Sequence, residues 1–93
     1  MPFKTLGTLT GRGRLLGAED YEFAAVDYRL EAFTSIHLKS GRGQIHAEPA
    51  QLYDAIKAPK TFLELENGVR LPIVLTSAVA RTAEFRTGPV PGF

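Results

Sequence analysis

The sequence predicts an all-β domain, a small six-stranded β-barrel or half-open barrel in the order β-β-β-α-β-β-β, with one short helix near residues 49–57. Three observations predict it. Polar and apolar residues alternate with a period of two through most of the chain. The tripeptide Gly-Arg-Gly occurs twice, at Gly11-Arg12-Gly13 and Gly41-Arg42-Gly43, each followed two residues later by Leu15 or Ile45. Glycines that recur on one strand face mark sharp bends or close backbone approach in a barrel wall. Helical spacing is confined to one segment, between Pro49 and Pro59.

The first strand covers residues 3–16. Its odd positions hold Phe3, Thr5, Gly7, Leu9, Gly11, Gly13 and Leu15, and its even positions Lys4, Leu6, Thr8, Thr10, Arg12, Arg14 and Leu16. Residues 17–20 form a turn. In the second strand, residues 21–34, the apolar phase flips: Tyr21 and Phe23 are odd, whereas Val26, Tyr28 and Leu30 are even. A β-bulge near Ala24-Ala25 reconciles the halves. The third strand, 41–47, sets Gly41, Gly43 and Ile45 against Arg42, Gln44 and His46.

Glu48-Pro49 opens the helix, where proline suits the first turn, and Leu52 and Ile56 supply its apolar stripe. Pro59 ends it. Strands over 61–65 and 69–77 flank Glu66-Asn67-Gly68. A two-residue Asn-Gly turn would pair polar with apolar residues. A three-residue loop with Gly68 left-handed pairs Leu65 with Val69, Leu63 with Leu71 and Glu64 with Arg70, and is the expected register. Pro72 then belongs at an edge or bulge. Residues 82–87 form the last strand, with Ala83 and Phe85 inward. The domain spans 1–87, and 88–93 form an extended, mobile tail.

This element order is similar to that of the oligonucleotide/oligosaccharide-binding fold, which also places its helix between strands three and four. The similarity is one of element order. The Arg-x-x-x-Arg and Asp-x-Ser-x-x-Gly signatures of cyclic-dinucleotide-binding PilZ barrels are absent.

Composition narrows the function. The 93 residues are 44% hydrophobic and 23% charged, as expected of one folded domain. The absence of cysteine excludes disulfides, thiolate metal sites and cysteine nucleophiles. No apolar run approaches the ~20 residues of a membrane helix, and the N-terminus lacks signal-peptide character, so a cytoplasmic protein without membrane contact is expected. A net charge of +1 weighs against a duplex-DNA binder. Charge is segmented: residues 1–16 carry Lys4, Arg12 and Arg14 without an acid, and the following 17–34 carry five acids against Arg29.

No catalytic, metal or cofactor set is expected. His37 and His46 lie on different elements, and Ser35, Ser40 and Ser77 sit in no nucleophile elbow. The anion-binding candidates are Arg12, Arg14, Lys39, Arg42 and His46. Hairpin register sets Arg12 opposite Asp27 and Arg42 opposite Glu31, which turns the basic-acidic-basic order into cross-strand pairing. Arg14 has no evident acid partner. Tyr28 falls on the inward phase, leaving Tyr53 and Phe62 as candidate exposed rings. The interaction-surface candidates are Pro72 and Val74 on strand five and Phe93 in the tail, provided the helix does not cover that strand.

The expected function is a non-catalytic binding module acting through protein contact or self-association. The alternative is single-stranded nucleic acid or another polyanion bound by Arg12, Arg14 and Arg42, and an enzyme ranks third.

Overall fold

A sheet that buries one face must protect two edges or close on itself. This one closes. The computed structural model describes residues 4–34 and 38–92. In chain order these form β1 (Lys4–Leu16), a 3-10 turn (Ala18–Asp20), β2 (Glu22–Thr34), β3 (Lys39–His46), α1 (Pro49–Ile56), β4 (Thr61–Glu64), β5 (Arg70–Val79) and β6 (Thr82–Thr87). Around the barrel the strands run β1-β2-β3-β6-β5-β4, all neighbours antiparallel, and β4 returns to β1.

Alternation supplies the core. Leu15, Val26, Leu30, Ile45, Leu63 and Phe85 point inward and are essentially inaccessible. Leu52 and Ala55 of α1 add to this core, whereas Ile56, expected in the apolar stripe, is half-buried. The 66 hairpin takes the three-residue register: Leu63 pairs with Leu71, Glu64 with Arg70, the Leu65 amide donates to the Val69 carbonyl at 2.7 Å, and Gly68 has φ 89°. Pro72 sits just outside the β5–β6 ladder, whose first pair is Ile73 with Thr87.

The bulge in the first hairpin lies one residue before its expected place. The register steps from Leu15–Ala24 to Leu16–Glu22, so Phe23 is the extra residue, not Ala24 or Ala25. The ring decides it. Phe23 lies over Gly17 and meets Tyr21 edge-on at 5.0 Å between centroids. Alternation alone fails to reveal two further irregularities, at Leu6 and Thr76. The tail is also corrected. Val90 is 3% exposed and packs near Gly41, Thr87 and Leu30, so the domain extends past residue 87. Phe3, His37 and Phe93 lie outside the described residues.

The repeated glycines act as close-approach points. A Cβ on Gly13 would stand 2.0 Å from the Glu64 carbonyl oxygen, and one on Gly43 1.9 Å from that of Arg29. Both contacts are with backbone, which cannot rotate away. Gly43→Ala is therefore expected to cost about 3 kcal/mol or more, lowering Tm by on the order of 10 °C. Gly88→Ala, with open space around it, should leave Tm unchanged. Thermal unfolding of the two variants checks this. In the β5–β6 turn Ala80 has φ 54°, a left-handed conformation that disfavours a side chain. Ala80→Gly should raise stability by about 0.5–1 kcal/mol in denaturant titration.

Candidate binding surface

Each outward strand position belongs to a row that crosses the sheet. One row runs Arg12, Asp27, His46 and Thr82. Here Arg12 donates to Asp27 at 3.1 Å, as register predicts, and His46 Nδ1 lies 3.0 Å from the Thr82 hydroxyl. Arg12 and Asp27 are both well exposed, so the pair sets register more than it stabilises.

Arg14 departs from expectation. It is the hub of a network rather than a free cation. It holds Glu64 at 2.6 Å and Glu22 at 3.1 Å, while Arg70 takes the other Glu64 oxygen at 3.0 Å and also binds Asp20. The partner Glu64 comes from β4, fifty residues away, and hairpin reasoning does not reach it. Hydrogen bonds from Arg14 and then Arg70 hold the Glu64 carboxyl below its ordinary range, and Glu64 in turn raises both guanidinium groups. The five charges join the 3-10 turn, β1, β2, β4 and β5 where the barrel closes.

Arg42 stands opposite Glu31 as predicted, yet makes no ion pair with it. Its guanidinium lies over the Phe33 ring, 4.7 Å from the centroid. On its other side β6 brings Arg86 directly opposite Arg42, and Arg29 occupies the adjoining row beside Gln44. Arg12, Arg14, Arg70 and Arg81 all have acid partners within 3.2 Å. Among the described residues Arg29, Arg42 and Arg86 make no ion pair, and all three converge on one face.

There they line a concave depression of about 310 Å³ with Glu31, Gln44 and Glu84. A second depression of about 390 Å³, floored by Phe33 and Ser40, adjoins it and shares Arg42 and Arg86. The same row continues to Val74, opposite Arg86 and 66% exposed. The helix leaves Val74 uncovered, so this strand-five candidate joins the arginine surface. Exposed Pro72 lies nearby on the same strand. Lys39 is exposed and lines neither depression.

Arg29 and Arg86 are the members that sequence reasoning overlooks. Arg29 lies in an acidic stretch. Arg86 meets Arg42 only because β6 inserts between β3 and β5, a neighbour relation that hairpin rules do not supply. Among the described residues no group of three histidine, cysteine or acidic side chains could hold a metal ion, and no helix is long and apolar enough to cross a membrane. Comparison with protein-family models, curated proteins and solved structures yields no significant match to this chain.

Arg14→Ala is expected to lower Tm by more than Arg12→Ala does, since it strips partners from two glutamates rather than one exposed aspartate. The Glu64 contribution has a definite pH sign. A carboxyl lowered by folding stabilises fully above its unfolded-state value and loses that contribution as pH falls through its folded-state value. Denaturant curves of the parent and Glu64→Gln should therefore differ at neutral pH and converge in acid.

Proposed function

We propose that this protein is a non-catalytic binding module that takes a carboxylate-bearing protein segment on the outer face of β2, β3, β6 and β5. The observation that carries it is the direct opposition of Arg42 and Arg86 with no acid paired to either among the described residues. Like charges facing each other across a ladder cost stability, by about 0.2–1 kcal/mol. An external anion relieves that cost on binding. Arginine presents a rigid fork suited to carboxylates, and Phe33 holds one fork in place before the partner arrives.

The composition of the face favours a protein partner over single-stranded nucleic acid. Glu31 and Glu84 share the depression with the arginines, which leaves room for one or two discrete carboxylates set against Arg42 and Arg86 but repels a continuous run of phosphates. Val74 adds an apolar contact at the rim. A single-strand platform also needs open aromatic faces. The Phe33 ring carries Arg42 on its face, the exposed Tyr21 and Tyr53 line neither depression, and Tyr28 is buried with its hydroxyl accepting from the Glu66 amide. Phe62, the remaining candidate ring, is half-buried opposite Pro72. A cysteine-free chain suits the reducing cytoplasm assigned to this role.

The test compares leucine-containing peptides that bear one or two glutamates with oligothymidylate, each titrated over a salt series. Peptide binding is expected. Arg42→Ala and Arg86→Ala should each weaken it by at least ~10-fold, Arg12→Ala should not, and Tm of the first two should hold or rise. Steeply salt-dependent oligothymidylate binding without peptide binding overturns the proposal.

A further inference from the structure

Barrel closure is incomplete on β1. That strand has thirteen residues, but β4 pairs with only Arg14, Leu15 and Leu16. From Lys4 to Arg12, among the described residues, β1 pairs with β2 on one side and with no strand on the other. An open edge presents a row of backbone donors and acceptors ready for another strand. The register irregularity at Leu6 bounds it on one flank, and on the other β4 and the Glu66 carboxylate, which reaches the inner side of Gly11.

The stretch between these limits contains the palindrome Gly7-Thr8-Leu9-Thr10-Gly11. We infer that this edge pairs antiparallel with the same edge of a second copy, about a two-fold axis at Leu9. The axis sets Leu9 opposite Leu9, each Thr8 opposite Thr10 and each Gly7 opposite Gly11. Every residue meets its own kind. Facing residues also share a side of the joint sheet, because Thr8 and Thr10 are exposed whereas Gly7, Leu9 and Gly11 are half-buried. Such self-complementarity is what an isologous contact requires. Threonine pairs and apolar pairs both favour cross-strand contact. No charge falls inside the palindrome. Moving the axis to Thr8 would set Gly7 opposite Leu9 and Leu6 opposite Thr10, so the matching of like residues selects the Leu9 register. Thr8 and Thr10 stand opposite Glu31 and Arg29, so this edge borders the arginine face, but the pairing does not rest on that face's function.

The experiment is sedimentation equilibrium of the full chain and two double variants at these exposed threonines. Thr8→Lys with Thr10→Lys sets like charges opposite each other twice and should weaken the dimer at least ~10-fold. Thr8→Lys with Thr10→Glu sets opposite charges together twice and should retain it. Melting curves establish that both variants fold. Amide exchange gives a second readout: protection within residues 7–11 should rise with protein concentration. A parent chain that stays monomeric to millimolar concentration overturns the inference. So do equal dimerisation of the two variants and concentration-independent exchange.

Discussion

The structure depends on a short seam where β1 meets β4. Only three residue pairs close the cylinder there, Arg14–Glu64, Leu15–Leu63 and Leu16–Phe62. Sterics, packing and charge all act at this place. Gly13 admits the Glu64 carbonyl oxygen, which any side chain would push away. Leu15, Leu16 and Leu63 are fully buried just beyond it. On the outer side Glu64 binds Arg14 of β1 and Arg70 of β5, so one carboxylate spans both neighbours of its strand. Each contact is modest alone, but each positions the next, and a seam this short needs all of them to define its register.

The same shortness has a consequence at the other end of β1. A barrel abolishes edges only as far as its closing strand extends. The four residues of β4 cannot cover a thirteen-residue partner, and among the described residues no strand pairs with that side of β1 from Lys4 to Arg12. Charge is divided in parallel fashion. The arginines with acid partners occupy the seam and the rows around α1 and the first hairpin. The three without ion pairs among the described residues gather across β2, β3 and β6. Glu31 and Glu84 stand among these three, yet neither is ion-paired to them among the described residues. The direct facing of Arg42 and Arg86 across their ladder costs some stability.

Much of this was legible in the chain. Period-two alternation located every strand, and Pro49 and Pro59 bounded the helix, because these signals are local and strong. The Leu65–Val69 register followed from facing like with like. Arg12 met Asp27 because both belong to one hairpin. Arg42 shows where such reasoning stops: its backbone lies opposite Glu31, but its side chain turns to Phe33. Register constrains Cα positions, whereas a long side chain chooses among all neighbours within reach. The bulge moved by one residue for a similar reason, since Phe23 found Gly17 to lie against.

The sequence by itself determined the class of fold, the order of elements, the inward set of residues and the architectural role of the two Gly-Arg-Gly segments. Those properties follow from periodicity and steric size, which act over a few residues. Tertiary structure alone decided which strands became neighbours across long loops. That choice tied Arg14 to Glu64, set Arg86 against Arg42, returned Val90 to the core and, among the described residues, left one side of β1 without a strand from Lys4 to Arg12. Each depends on closing a cylinder, a global condition that no local pattern encodes.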